Sequence, residues 1–481
     1  MRPRALRVLP ALPGYPGQTA AADLSLHDSF KSHRRGASNV GPVSAPVKFA
    51  SSLDGDVFTP DSPGYDAIRR RVDLAYQHVR PRLVIRCRSV SDVVRVLAYA
   101  TMTGERITPR GGGHCFAGRS STEGIVLDLS GLDDISVTDD GIATIGAGAR
   151  LGEVYAALHV HGRTLPAGCG PTVGITGLTL GGGIGLLGRQ YGLTCDRLVG
   201  AQVVLADGSV VECDDDHEPD LFWALRGAGG GQFGVVTSLR YDTVVEPMTT
   251  RIEVNWSSPV IDEVVTAWQA WAPDAPDELT ANLTLVSEPR APVRATLFGA
   301  TTLEEEPTRE LLRELVDWAG ASTVDLRASL PYHHLKGTFA DPLDSSGRAQ
   351  RVRSEFFAHS MAEGTLASLS ARLGFSPTTG RRELAFIAMG GAYNRVAEDV
   401  TAFAHRRERF LLQHIAAADD PWVDDSWAIA HADGSGRVYP NFPDLALDGW
   451  AAAYHGANHP RLAAVKRAYD PHRLLDFPQA V

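Results

Sequence analysis

Three clusters of glycine lie between residues 109 and 234, and they restrict what this chain can fold into more than any other feature. The first runs Pro109-Arg-Gly-Gly-Gly-His-Cys-Phe-Ala-Gly118, the second from Gly168 to Gly185, and the third from Arg226 to Gly234. Residues without a Cβ let successive N–H groups converge on an anion and adopt backbone conformations closed to other residues. The spacing fits neither a G-x-G-x-x-G turn in a βαβ unit nor a phosphate loop ending in GK[ST]. One such cluster reads equally well as a tight turn in a β-rich domain. Three together read as an enclosure for a large, flat, phosphate-bearing ligand. His114 stands in the first cluster. A lone histidine after glycines is usually a loop residue donating to a carbonyl. Inside an anion cradle, however, an imidazole that is neutral above its ordinary pKa of about 6.5 can also attack an electrophilic carbon.

Composition narrows the class. A chain of 481 residues exceeds one ordinary domain and predicts two or three. Hydrophobic residues at 44% and charged residues at 21% are globular proportions. A net charge of -11 disfavours nucleic acid as the main partner, since phosphate contacts require clustered Lys and Arg. No apolar run is long enough for a membrane helix. Residues 1–47 read as a loose extension; Arg34 and Arg35 are not followed by the apolar stretch of a twin-arginine leader. Cys87, Cys115, Cys169, Cys195 and Cys213 are odd in number and widely spaced, without CxxC. They predict neither a disulfide framework nor a zinc site, and a cytoplasmic location. Asp214–Asp216 and Glu304–Glu306 read as solvated loops. The pairs His159/His161 and His333/His334 lack a carboxylate at metal-ligand spacing, so no metal is expected.

Local patterning predicts two textures. Before about residue 245, short strands dominate: Leu83–Cys87, Gly124–Leu129 and Ala143–Gly146. Ser91 is placed to cap a helix with Val93, Leu97 and Ala100 inside. Leu151, Val154, Tyr155 and Leu158 have helical spacing, and Asp207-Gly208 turns a hairpin between Val203 and Glu212. After about residue 248, period-two runs (Ile252/Val254/Trp256, Leu279/Ala281/Leu283/Leu285, Leu384/Phe386/Ala388) alternate with helical runs. The helical runs are Ile261/Val264/Val265/Trp268 and Leu311/Leu312/Leu315/Trp318. This predicts an α+β domain with helices on one face of an antiparallel sheet and the other face free to bind. A last helix, Leu462 to Tyr469, stops before Pro471.

At this level the chain resembles the FAD-linked oxidases of the vanillyl-alcohol oxidase / p-cresol methylhydroxylase (PCMH) superfamily, in the berberine-bridge-enzyme-like branch. The resemblance spans about Leu53 to Val481. It is carried by Arg110–His114, Pro171–Gly183, Tyr191–Asp196, the Phe222–Gly230 run, Tyr439-Pro-Asn441, Ala453–Asn458, Arg461-Leu462 and Asp470-Pro471. The resemblance implies a two-subdomain FAD-binding domain over residues 48–245 and a substrate domain over 246–435. Residues 436–481 would then return to the FAD domain.

The resemblance also implies roles. His114 falls where relatives bond the flavin 8α-methyl covalently. Arg110, Gly111, Gly112, Gly113, Cys115 and Gly118 fall on the first cofactor loop. Gly170, Thr172, Val173, Gly174, Gly177, Gly181, Gly182 and Gly183 fall on the second. Val236, Tyr439 and Asn441 complete the set. Many relatives make a second flavin bond through a cysteine at the position held here by Gly170. Cys169 is one residue early, which turns its thiol to the opposite side of an extended segment. That favours a single bond, with a bond through Cys169 as the alternative if a bulge intervenes. Val173 matches a residue that admits O2. Ile184 and Phe442 replace tyrosines of relatives and make the pocket more apolar. Tyr439 matches the catalytic base. The implied function is an oxidase of a CH–OH group in a small secondary metabolite, with FAD as cofactor, O2 as acceptor and H2O2 as product. The alternatives are an oligosaccharide oxidase, an oxidative cyclase and, less favoured, a non-catalytic flavin protein. The implied assembly is a monomer or homodimer with no membrane partner.

Overall fold

The computed structural model describes residues 47–70, 72–256, 260–320, 323–339, 349–374 and 380–481. The extension expected over residues 1–47 lies outside the described residues apart from Val47.

The short apolar runs of the first texture pair into two sheets. β1 (Asp56–Phe58), β2 (Leu83–Arg86), β3 (Ile107–Arg110) and β4 (Ile125–Asp128) form a mixed sheet in the order β1-β2-β4-β3. β2 and β3 both run parallel to β4. Parallel strands need a crossover, and helix Val90–Thr103 lies between β2 and β3, burying Val93, Val96, Leu97 and Ala100. Its cap is Ser89, not Ser91. The Ser89 hydroxyl accepts from the Asp92 N–H at 3.2 Å, so the helix begins earlier than the apolar spacing implied.

The second sheet is antiparallel. β5 (Ile135–Val137), β6 (Ile142–Gly146), β8 (Leu198–Val204), β9 (Val210–Cys213) and β10 (Val235–Asp242) lie in the order β5-β6-β10-β8-β9. A two-stranded ribbon, β7 (Arg163–Thr164) with β11 (Val244–Val245), lies outside it. The expected hairpin joins β8 to β9, with Val204 opposite Val210 and Gly208 in the left-handed region.

The second texture builds one antiparallel sheet of seven strands. These are β12 (Met248–Trp256), β13 (Leu279–Ser287), β14 (Arg294–Thr301), β15 (Thr323–Pro331), β16 (Gln350–Phe357), β17 (Arg382–Ala388) and β18 (Phe410–Ala417). Their order is β15-β12-β14-β13-β17-β18-β16. One face buries Val254, Leu283, Leu297, Phe386 and Leu412 in a core shared with helices Ile261–Trp271, Glu305–Ala319, Glu363–Gly374 and Trp422–His431. The α+β class and the helix-backed sheet are as expected from the sequence. Two details differ. Trp318 is 52% exposed, on the outer side of its helix. Glu305 and Glu306 form that helix's first turn, where carboxylates complement the dipole, instead of a loop.

Buried cations tie the glycine-rich half to the sheet. The Arg189 guanidinium donates to the carbonyls of Leu279 at 2.9 Å and Pro273 at 2.8 Å, and also to those of Met389 and Ala275. Arg406 forms a two-pronged pair with Asp196 at 2.8 and 2.6 Å. Lys466, on helix His459–Tyr469, donates to Asp470 at 2.7 Å and to the Gln232 carbonyl, anchoring the tail to the third glycine cluster. Truncating one member of such buried pairs leaves an uncompensated charge and costs about 3–5 kcal/mol. These contacts therefore fix the geometry of the site between the two halves.

Candidate active site

The first two glycine clusters are in direct backbone contact. A Cβ on Gly112 would collide with the backbone nitrogen of Gly174, and a Cβ on Gly174 with that of Gly112. This approach is open only to glycine and brings His114 over the second loop. His114 Nε2 lies 3.0 Å from Thr172 Oγ1. Burial lowers the imidazole's pKa and nearby Arg150 adds to this, while the contact with Thr172 opposes it. The net shift favours the neutral ring. Arg110 is held away from solvent by Asp128 at 2.7 Å. Gly113 and Gly118 take positive φ, and Gly118 closes a turn onto Cys115 at 3.1 Å. Val173 lies against Gly170 and the carbonyl of Val173 receives the Leu151 N–H.

The third cluster faces the second. A Cβ on Gly230 would lie 4.0 Å from the Gly177 Cα, whereas a Cβ on Gly177 would meet nothing within 4 Å. Open space therefore adjoins helix Ile175–Leu180, with the glycine clusters around it. The sequence-predicted residue Val236 is placed differently. Its side chain lies in the core of the five-stranded sheet, so only its backbone is left for a ligand.

The C-terminal segment closes the second loop. Tyr439 is buried, and its oxygen accepts from Gly183 N at 2.9 Å, Ile184 N at 3.2 Å and Asn441 Nδ2 at 2.9 Å. Asn441 also donates to the Leu178 carbonyl at 2.8 Å. Burial pushes the Tyr439 phenol up to about 12, against the opposing effect of these three donors. Gly181, Gly182 and Gly183 pack so closely on Asn441, Phe403 and Thr194 that no side chain fits there. Phe442 contacts Tyr439 at 5.0 Å between ring centroids and Phe116 of the first loop at 5.5 Å. Ile184 joins the same apolar wall.

The face of the seven-stranded sheet opposite the four-helix layer completes the site. Phe356 and Leu411 are buried with Tyr439, and Ile387 packs on them. One step along the same face, register aligns Ser354, Gln413, Ala385, Thr284, Thr296 and Asn255 in a row across six strands. Thr296 Oγ1 donates to Asn255 Oδ1 at 2.8 Å, and the Ser354 hydroxyl is buried with no partner among the described residues. Sequence reasoning missed this row. Its one local signal was a polar Gln413 inside the apolar run Phe410–Ile415.

The Cys169 thiol turns to helix Tyr332–Thr338, where Lys336 Nζ donates to it at 3.1 Å. The same helix supplies a carboxylate-linked histidine cluster that spacing did not foresee. His159 Nδ1 lies 2.6 Å from Glu246, with His333 stacked on His159 and His334 tilted against it.

These residues fit a flavin dinucleotide. Arg119 Nε, Ser120 Oγ and Ser121 Oγ, directly after the first cluster, are buried with no partner among the described residues. Such donors suit phosphate oxygens. The comparisons agree. The FAD binding domain family matches residues 81–214, and the berberine and berberine like family matches residues 438–481. YgaK of Bacillus subtilis (strain 168), named an FAD-linked oxidoreductase, is 32% identical over 445 residues, covering 90% of this chain and 97% of its own. Chitooligosaccharide oxidase of Gibberella zeae is 30% identical over 429 residues, covering 82% and 85%. The solved structure of Physcomitrella patens BBE-like 1 superposes with a TM-score of 0.83 at 24% identity, over 90% of this chain and 98% of that one. Among the described residues no helix is long and apolar enough to cross a membrane. The chain is an FAD-linked oxidoreductase and belongs to the berberine-bridge-enzyme-like family.

Proposed function

We propose that the protein is an oxidase that takes hydride from a CH–OH carbon of a small secondary metabolite and passes the electrons to O2, releasing H2O2. The observation that carries this reading is the meeting of two surfaces. The glycine loops, with a neutral imidazole at their centre, close against an apolar wall of Ile184, Phe356, Leu411, Tyr439 and Phe442. FAD, when bound, supplies the hydride acceptor and the route to O2.

The chain's own residues carry the rest. His114 forms the single covalent tether, since the Cys169 thiol is engaged by Lys336. Val173 leaves room for O2 near the cofactor. Tyr439 meets the substrate hydroxyl. Three N–H donors point at its oxygen and favour the phenolate form in which it can take the substrate hydroxyl proton, against the burial that opposes that form. Residues 48–245 hold the cofactor, 246–435 the substrate, and 436–481 supply Tyr439 and Asn441. The row Gln413, Thr284, Thr296 and Asn255 favours one second reading, an oligosaccharide oxidase, because it offers hydrogen bonds to a hydroxyl-rich chain.

Peroxide release on a panel of aromatic and polyketide-like alcohols, set beside oligosaccharides, separates the two readings. Rapid reoxidation in air of the dithionite-reduced protein is expected under both, and sluggish reoxidation counts against both. Tyr439→Phe is expected to slow flavin reduction at least about tenfold. An unchanged rate removes Tyr439 from the chemistry.

A further inference from the structure

Cys169 differs from the other four cysteines in its surroundings. Cys87, Cys195 and Cys213 are buried, and burial pushes their thiols up, Cys213 to about 12. Cys115 is half-buried, and no cationic nitrogen is hydrogen-bonded to it among the described residues. Cys169 is half-buried and has the Lys336 ammonium 3.1 Å from its sulfur. Lys336 is only 4% exposed. It is held by the carbonyls of Ala167 at 3.2 Å and Gly168, and it lies over the rings of Tyr155 at 4.9 Å and Tyr332 at 5.6 Å. The Tyr332 hydroxyl is fully buried and finds no hydrogen-bond partner among the described residues. A sulfur, an amine and an unengaged phenol therefore share one small polar site inside the apolar core beside the second glycine loop. None of the three has a part in the proposed oxidation of substrate.

We infer that Cys169 and Lys336 form an oxidative modification site, in which peroxide converts the thiol to a sulfenic acid and the lysine amine then closes a sulfur–nitrogen cross-link. A thiolate is the attacking species, and a cation at hydrogen-bond distance is the counter-charge it requires. In the first step the thiolate sulfur takes one peroxide oxygen, the O–O bond breaks, and the leaving hydroxide takes a proton from the adjacent Lys336 ammonium to become water, which leaves that amine neutral. Sulfur is oxidised by two electrons and peroxide is reduced by two. In the second step the deprotonated Lys336 nitrogen attacks sulfur, the S–O bond breaks and a second water leaves. Overall, one thiol, one amine and one H2O2 give one S–N bond and two waters. The link would join the second cofactor loop to helix Tyr332–Thr338, and a thiol reductant would reverse it. The source of peroxide within the protein rests on the oxidase reading above; the reactivity of the pair does not.

The test uses the purified flavoprotein and added H2O2, so it does not depend on turnover. After tryptic digestion, peptide Thr164–Arg189 is expected to be joined to peptide Ala328–Arg348, uncleaved at Lys336, with the combined mass less two hydrogens. Dithiothreitol is expected to release both. Lys336→Met is expected to abolish the link and slow consumption of the Cys169 thiol at least about tenfold. Lys336→Arg retains a cation but no amine, and is expected to leave a dimedone-reactive Cys169 without a link. The inference is overturned if Cys115 is consumed before Cys169, if Lys336→Met reacts as fast as the parent, or if Thr164–Arg189 carries flavin mass. Peroxide release on no substrate, together with a formed link, would count against the oxidase reading alone.

Discussion

The glycine loops and the open face of the seven-stranded sheet make the two walls of one site by opposite means. The loops work by removal. Gly112 and Gly174 approach so closely that backbone atoms occupy the volume a methyl group would need, and Gly183 admits the Thr194 side chain in the same way. The sheet face works by register. Residues 158 positions apart, Asn255 and Gln413, come into line only because six strands pair with fixed offsets. A wall defined by missing side chains tolerates almost no substitution. A wall defined by side chains displayed on a regular sheet can change its residues and keep its shape.

Gly112→Ala is the strongest way to break this comparison. Backbone cannot move aside as a side-chain tip does, so a cost on the order of 3 kcal/mol is expected. Its readout is a lowered thermal midpoint together with loss of the yellow colour. Gly177→Ala sharpens the point. Nothing lies within 4 Å of its would-be Cβ, and alanine in a helix is favoured over glycine by roughly 0.5–1 kcal/mol. The apoprotein is expected to melt no lower than the parent, while the flavin content of the purified protein falls because the methyl group enters the cofactor's space. Equal losses in both variants would show that the glycines serve folding alone.

On the sheet, Gln413→Leu is expected to leave flavin content and absorbance unchanged and to lower kcat/KM about tenfold, the worth of one substrate hydrogen bond. A shifted flavin spectrum would instead place Gln413 against the cofactor. The smallest effect concerns the junction of the walls. His405 is buried against Phe356 and Phe403, with neither ring nitrogen hydrogen-bonded among the described residues. Burial first, then Arg437 and His455, push it down to about 3. Its folded value lies below the ordinary value of about 6.5. The stability tied to the neutral ring is therefore complete above that pH and is lost progressively toward pH 3, as the unfolded chain binds a proton that the folded one rejects. His405→Phe is expected to flatten the fall of the thermal midpoint between pH 7 and pH 5; an unaltered slope would assign the acid sensitivity elsewhere.

The same contrast explains what the sequence disclosed. Clustered glycines and an adjacent histidine are local signals, and the loop residues His114, Thr172 and Gly183 were legible without knowing what they touch. So were β12 and β13, where apolar and polar residues alternate, and β17, from the spacing of Leu384, Phe386 and Ala388. β18 was not. Leu411 faces Tyr439 and Leu412 faces the helices, so both sides are covered and the run Phe410–Leu412 has no period to read. Gln413 could be placed only once its strand was paired. The pairing of Lys336 with Cys169 and of Glu246 with His159 spans 167 and 87 positions. Spacing rules based on nearby residues cannot reach contacts of that range.

Acid precipitation of the purified protein, followed by mass spectrometry of its tryptic peptides, tests the central claim most directly. The account predicts that flavin remains in the precipitate and that peptide Gly111–Arg119, which contains His114, carries the mass of FAD while Thr164–Arg189 does not. A protein that is colourless and takes up no added FAD, or one that releases all its flavin into the acid supernatant, would contradict it.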